Sequence, residues 1–495
     1  MSALNLQSSG VNQCVMPFID GRLVESHSER SVEVVNPSNG RAAFSIAAGC
    51  DADVDRAVTV ARRAFDDGGW SEAPPSFRKR ALHAFAEVIA REAAALDALD
   101  AAEMGKPTSV AFANANTAAE SMRFHAEAVD KIPGDIHSSD RASLVVERRV
   151  PRGVIAAIVP WNFPTYISVA KVAPALAAGN CVVLKPSELS SQSAIRLAQL
   201  AVQAGVPPGV FNVIPGLGET VGASLGMHQD VDMVSFTGST AVGKRMLEYA
   251  GRSNMKRVVA ECGGKSPQLV FDDGVDLEAA STAIAQFLLT NQGQICSVGS
   301  RLLVQRSIQD EMIKRITDTF KQVVIGDALE PTTTFGPLVS AKQCERVLRY
   351  IDTGHEEGAR LIYGGRRVLK ETGGYFVEPT LFRGVLPTSR LAQEEIFGPV
   401  LAVIPFDDEA EAIRIANGTR YGLFAGVWTA SLSRGLRLAK ALKSPTMINS
   451  AAPKGEGAGH ATSFEPFGES GIGAEGGVAG MDMYLRRQLV WFNHD

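Results

Sequence analysis

The sequence has little of what would mark a secreted, membrane-bound or nucleic-acid-binding protein. Its 495 residues contain six cysteines (Cys14, Cys50, Cys181, Cys262, Cys296 and Cys344), and no two of them stand in a C-x-x-C pair. So sparse and scattered a set argues against a disulfide framework or a zinc site and suits a reducing compartment. No window approaches the ~20 apolar residues of a membrane helix. The stretch from Met1 to Val15 has neither a basic start nor a long apolar run, so no secretory signal is expected. Basic clusters are also missing. Lys and Arg total 49 against 54 Asp and Glu, and a net charge of −5 makes no electrostatic case for nucleic acid. Low-complexity tracts and internal repeats are absent as well. The expectation is a soluble cytoplasmic protein with no resident metal and no membrane or nucleic-acid partner.

What the chain does have is an ordinary enzyme composition, 45% hydrophobic and 21% charged. It is too long for one hydrophobic core, and two or three domains are expected. Short apolar runs alternate with amphipathic stretches, the pattern of a parallel sheet covered on both faces. Residues 154–159 read as a strand and 166–178 as a helix ended by Gly179; 181–184 read as a second strand. In 191–204, Ala194, Leu197, Ala198, Ala201 and Val202 share one helical face, and Gly205 closes the helix. Strands at 210–214 and 233–236 follow, then a helix from about Thr240. A second series has strands at 268–271, 301–305, 400–406 and 426–428, with helices near 276–290, 310–323 and 432–442. Two α/β domains with a cleft between them are therefore expected, with ligands at the carboxyl ends of the strands.

Three segments carry chemistry. Asn291-Gln292-Gly293-Gln294-Ile295-Cys296 ends a Gly/Gln-rich turn on a cysteine, and Glu261-Cys262-Gly263-Gly264-Lys265-Ser266 sets a glutamate before a double glycine. Pro160-Trp161-Asn162-Phe163-Pro164 follows a buried-looking strand and offers a side-chain amide. A thiolate nucleophile, a carboxylate base and an amide donor to an oxyanion are the parts of acyl-thioester chemistry. The other five cysteines read as inert packing. A cofactor is suggested by Phe236-Thr237-Gly238-Ser239-Thr240-x-x-Gly243, which puts small residues and hydroxyls where a helix N-terminus can hold a pyrophosphate. Gly216-x-Gly218 alone is weak, since it lacks a third glycine.

These segments resemble the aldehyde dehydrogenase superfamily, and the likeness runs over most of the chain. The resemblance implies oxidation of an aldehyde to the carboxylic acid. In that reading Cys296 is the nucleophile, Glu261 the base that activates the hydrolytic water, and Asn162 the oxyanion donor. Lys171 and Glu475 match positions used to relay protons, and each reads equally well as a structural ion-pair member. Nucleotide contacts are implied at Ile158, Val159, Pro160, Trp161, Lys185, Ser187, Glu188, Gly218, Phe236, Thr237, Gly238, Ser239, Gly263, Glu395 and Phe397. Phe163, Tyr166, Ala170, Ile295, Ser297 and Phe467 are implied to wall the substrate tunnel. Glu188 favours NAD over NADP, because a carboxylate ~5 Å from a 2′-phosphate costs on the order of 3 kcal/mol per unit charge at an effective dielectric of ~20.

The implied fold is two Rossmann-like α/β domains plus a small β element for oligomerisation. Residues 1–131 and 150–260 make the dinucleotide-binding domain and 261–449 the catalytic domain. Residues 132–149 and 480–495 form the oligomerisation hairpin and strand of a homodimer or homotetramer, and 450–479 the tunnel loop and return segment. Glu261 argues against a CoA-acylating enzyme, and the intact Cys296, Glu261 and Asn162 set argues against a silent dinucleotide binder. The chain departs from the family pattern at two places. Cys262 replaces a usual leucine, and Pro466-Phe467-Gly468-Glu469-Ser470-Gly471 lacks three residues, an aromatic and a lysine among them. The preceding loop is long and carries Lys454, Glu456 and His460, while Ala170 suggests a roomy tunnel. Segments 193–198 and 253–258 resemble the dehydrogenases of γ-glutamyl-aminobutyraldehyde and other ω-aminoaldehydes, but lie outside the expected pocket.

Overall fold

The computed structural model describes residues 14–452 and 459–493; Lys454, Glu456 and the first thirteen residues lie outside this range. Its frame is two large sheets and a small one. The first, eight-stranded sheet runs, by strand, Gly471–Ile472, Arg257–Glu261, Met233–Thr237, Val154–Ile158, Cys181–Lys185, Phe211–Val213, Phe18–Ile19 and Arg22–Leu23. Its central strands pair in parallel. Val154–Ile158, Cys181–Lys185 and Met233–Thr237 are buried at every position. That accounts for their unbroken apolar runs, since helices cover both faces of such a sheet. The second, seven-stranded sheet runs Arg360–Tyr363, Thr380–Arg383, Val400–Phe406, Arg301–Gln305, Pro267–Val270, Ala425–Trp428 and Thr446–Ile448. All its pairings are parallel except at the Arg360–Tyr363 edge. In the third, Leu485–Asn493 runs antiparallel to Ser143–Pro151, which also pairs with Asp135–His137.

Helices expected from spacing are present at Pro164–Ala177, Gln192–Gln203, Thr240–Arg252, Leu277–Leu289, Gln309–Phe320 and Leu432–Ala441. The first begins two residues earlier than expected because Pro164 occupies its opening position, where a missing N–H costs nothing. Gly179 follows that helix at φ 89°, a conformation glycine adopts without strain. The structure adds the Arg257–Glu261 strand, which delivers Glu261 to the carboxyl edge of the first sheet. It also adds four helices, Asp51–Asp66, Pro75–Arg91, Ala93–Met104 and Ala115–Ala128, whose apolar faces join the core of that sheet. Among the described residues no helix is long and apolar enough to cross a membrane.

Candidate active site

Four loops converge where the sheets face one another. The turn before Cys296 is held open by two non-glycine residues in the left-handed region, Asn291 at φ 48° and Gln292 at φ 56°. Such conformations persist only where surrounding contacts impose them, and they collect at functional sites. Here the contacts are explicit. Asn291 Nδ2 donates to the Asn162 carbonyl at 2.9 Å, and Asn162 Nδ2 donates to the Gln294 carbonyl at 3.0 Å. Gln294 Nε2 donates back to the Asn291 carbonyl at 3.2 Å, while its Oε1 accepts from the Val339 N–H at 3.0 Å. The Asn162 loop and the cysteine turn are thus tied together. One of the two amide hydrogens of Asn162 is used by Gln294, which leaves the other for a ligand.

Glu261 ends its strand with its carbonyl accepting from Gly238 N–H at 3.1 Å, and its carboxyl neighbours the Cys296 thiol. The double glycine makes this approach possible, because a Cβ at Gly264 would collide with the Cys296 carbonyl. Burial, and then the nearby Glu475 carboxylate, push Glu261 up to about 8 against the pull of Lys171. The Cys296 thiol is pushed well above its ordinary value by burial and by the Glu261 and Glu395 carboxylates. The resting pair is therefore a thiol beside a carboxyl that titrates close to neutrality. Behind it Lys171, fully buried, pairs with Glu475 and lies 3.4 Å from the Phe236 carbonyl.

The neighbouring Gly263 and Gly264 also serve Glu395. The Gly264 N–H donates to Glu395 Oε1 at 3.0 Å, and a Cβ at Gly263 would fall 2.5 Å from Glu395 Oε2. Phe397, itself at φ 61°, sets its ring edge-on to Trp161 with centroids 5.3 Å apart. Cys262 lies over Gly243 and is pushed up to about 12, chiefly by burial.

A dinucleotide finds a fitting cradle beside these groups. Thr237 ends a central strand with a buried hydroxyl that has no partner. Gly238 follows it, and Ser239 caps the Thr240–Arg252 helix through the Val242 N–H. Two strands over, Lys185 Nζ donates to the Pro186 carbonyl at 2.6 Å and stands 3.7 Å from Glu188. Ser187 Oγ accepts from the Leu189 N–H, Ile158 and Val159 are buried, and Val159 N–H donates to the Lys185 carbonyl. Gly218 opens a short helical turn and has free space where a side chain would sit, so its backbone does not demand glycine.

Of the tunnel residues, Phe163 and Ile295 share one buried cluster, against which Tyr166 also packs, and the Phe112 ring meets Phe163 at 5.6 Å. Ala170 and Ser297 are partly exposed. Phe467 stands apart from them: it is 51% exposed, sits on the two-residue strand paired with Tyr421–Gly422, and has Lys443 over its ring. His460 lies 3.4 Å from Glu120. Residues that the motifs did not point to also shape the site. Ser470 donates to the Gly263 carbonyl at 2.8 Å, and its own carbonyl accepts from Cys262 N–H at 2.8 Å. Arg346 donates to the Glu395 carbonyl at 2.5 Å. Each sits on a remote segment, and no local pattern marks it.

Comparison with known proteins agrees with this chemistry. The profile of the aldehyde dehydrogenase family matches residues 23–490. The chain is 40% identical over 479 residues to aminoacetaldehyde dehydrogenase of Pseudomonas aeruginosa, covering 96% of this chain and 95% of that one. It is 39% identical over 477 residues to the NADP/NAD-dependent aldehyde dehydrogenase PuuC of Escherichia coli, covering 96% and 95%. A solved indole-3-acetaldehyde dehydrogenase complexed with NAD+ superposes with a TM-score of 0.95 at 43% identity, over 99% of this chain and 98% of that one. The chain belongs to the aldehyde dehydrogenase family, and its reaction is the oxidation of an aldehyde to the carboxylic acid.

Proposed function

We propose that Cys296, Glu261 and Asn162 perform this oxidation, with NAD as the hydride acceptor. The observation that carries the reading is the packing of the Glu261–Gly264 turn against the Cys296 backbone, with the cysteine turn tied in the same place to Asn162. Glu261 takes the thiol proton and the sulfur adds to the aldehyde carbon. The oxyanion so formed accepts from the free N–H of Asn162, a contact whose loss typically costs ~10²–10³ in rate. When bound, NAD supplies the acceptor for the hydride that leaves the thiohemiacetal carbon. Glu261 then removes a proton from water as its oxygen adds to the Cys296 thioester, and the acid departs as sulfur regains a proton. The Lys171–Glu475 pair offers an exit for the proton of Glu261. The unpartnered Thr237 hydroxyl, the capped helix at Ser239, the Lys185–Glu188 pair and Glu395 would hold the nucleotide.

Glu188 supports NAD over NADP. Residues 1–131 and 150–260 serve as the nucleotide-binding half, and 261–449 as the catalytic half. The third sheet exposes Ile136, Leu489, Trp491 and Phe492, which supports a homodimer or homotetramer joined there. Scattered free cysteines support a cytoplasmic location. The aminoacetaldehyde relative favours an ω-aminoaldehyde as substrate. The test is NADH formation across aliphatic, aromatic and ω-amino aldehydes, with NAD or NADP and with or without CoA. Strong CoA-independent turnover with NAD is expected. Binding of NAD with no reduction by any aldehyde would overturn the reading, and a strict need for CoA would assign the chain to the acylating enzymes.

A further inference from the structure

Two helices that follow ligand-facing loops do not cap themselves, unlike Thr240–Arg252, which Ser239 caps. The Pro164–Ala177 helix starts from Phe163, which has no side-chain acceptor, and the Gln192–Gln203 helix starts from Ser191, whose hydroxyl caps nothing and instead donates to the Ser187 carbonyl. Their first N–H groups are buried and need acceptors. Both sets are served by one other helix, Ala93–Met104. Asp100 accepts from Thr165 N–H at 3.3 Å and Thr165 Oγ1 at 3.1 Å. Glu103 Oε1 accepts from the N–H groups of Ser191 and Gln192, each at 3.0 Å. The two carboxylates are three residues apart on one helical face and are 0% and 1% exposed. Buried Lys106, on the turn after this helix, donates to the Phe112 carbonyl at 3.4 Å and lies 5.9 Å from the Phe163 ring centroid.

Thr165 is three residues past Asn162, and Ser191 three past Glu188. We propose that Asp100 and Glu103 are positioning residues that set two ligand-facing loops from one rigid helix, Asp100 aiming the Asn162 amide and Glu103 holding the Lys185–Glu188 segment. Neither touches substrate or nucleotide; each acts through the first turn of the helix it caps. Burial pushes Asp100 up to about 6, opposed by Lys106, and pushes Glu103 up to about 8. The cost of keeping these carboxyls in the interior fits a role that an apolar side chain could not fill.

The proposal rests on the roles given above to Asn162 and Glu188, and the test separates the two. Asp100→Ala and Glu103→Ala are compared by stopped-flow burst kinetics, normalised to active sites, and by NAD binding through quenching of protein fluorescence without aldehyde. Asp100→Ala is expected to slow the burst about tenfold with NAD affinity within about twofold, since small misplacements at a reacting centre are costly. Glu103→Ala is expected to weaken NAD binding about tenfold and leave the burst at saturating NAD within about twofold, as loss of the cap loosens the segment. Asp100→Asn and Glu103→Gln keep an acceptor oxygen and are expected to retain the crossed pattern at only about two- to threefold. If the alanine variants do not fold, these two decide. Equal effects of both positions on both readouts, or effects only on thermal stability, would overturn the clamp. Asn162→Ala and Glu188→Ala are the controls. If they leave burst and NAD affinity untouched, the site reading falls instead.

Discussion

At the residue scale, the resting site is uncharged where it must react. A thiol pushed up by burial gains nucleophilicity only by transferring its proton, and Glu261 is the neighbouring carboxyl that can take it. Cys296→Ala is expected to lower turnover by about 10⁴-fold or more while NAD binding persists, as for removal of a covalent nucleophile. Retained oxidation in that variant would remove Cys296 from the mechanism. Glu261→Gln is expected to slow the burst of NADH and the turnover that follows it, because thiol deprotonation and thioester hydrolysis both lose their base. The pH dependence follows from the same group. Glu261 titrates at about 8 in the folded chain against an ordinary 4.5, so its basic form grows as pH rises towards 8. The post-burst rate is expected to climb through that range and level off above it, and Glu261→Gln should lack the rise. The stability contribution has the opposite sign. A raised carboxyl favours the folded state fully below about 4.5, and the advantage disappears as pH passes through about 8.

At the element scale, the site depends on short segments held by distant ones. The return segment lacks three residues of the family pattern, yet it still anchors the turn behind Glu261. Ser470 is fully buried; it accepts from Gly422 N–H at 3.0 Å and donates to the Gly263 carbonyl. Next to it the Glu469 carbonyl accepts from Thr240 Oγ1, and its carboxylate pairs with Lys244 at 2.9 Å and Arg420 at 3.2 Å. Those ion pairs are about half exposed and contribute little, whereas Ser470 leaves two buried groups unsatisfied when it is truncated. Ser470→Ala is expected to cost about 1–3 kcal/mol in denaturant unfolding. An unfolding free energy within about 0.5 kcal/mol of the parent would mean that water or a shifted backbone replaces the hydroxyl.

At the scale of the whole molecule, the third sheet is the surface on which the proposed oligomer would join. Trp491 is 60% exposed and Ile136 75% exposed on the two edge strands of this sheet, an apolar surface of the kind that marks association. Trp491→Asp is expected to shift the sedimenting species towards the monomer at micromolar concentration. An unchanged assembly would place the contact elsewhere.

The chemistry was legible locally. Cys296, Glu261 and Asn162 sit in segments where neighbouring glycines, prolines and amides are demanded by the turn itself, and fully buried strands declare themselves as unbroken apolar runs. Two-residue strands such as Phe18–Ile19 and Gly471–Ile472 carry no period to read, and they exist because a neighbour pairs with them. Phe467 illustrates the same limit: it is half-exposed, with Lys443 over its ring, and nothing local in the sequence says so. The sequence by itself determined which groups are proposed to react. The tertiary structure decided what aims them, because a buried donor takes whichever acceptor packing brings to it. Asp100 reaches Thr165 across 65 residues, and Glu103 reaches Ser191 across 88.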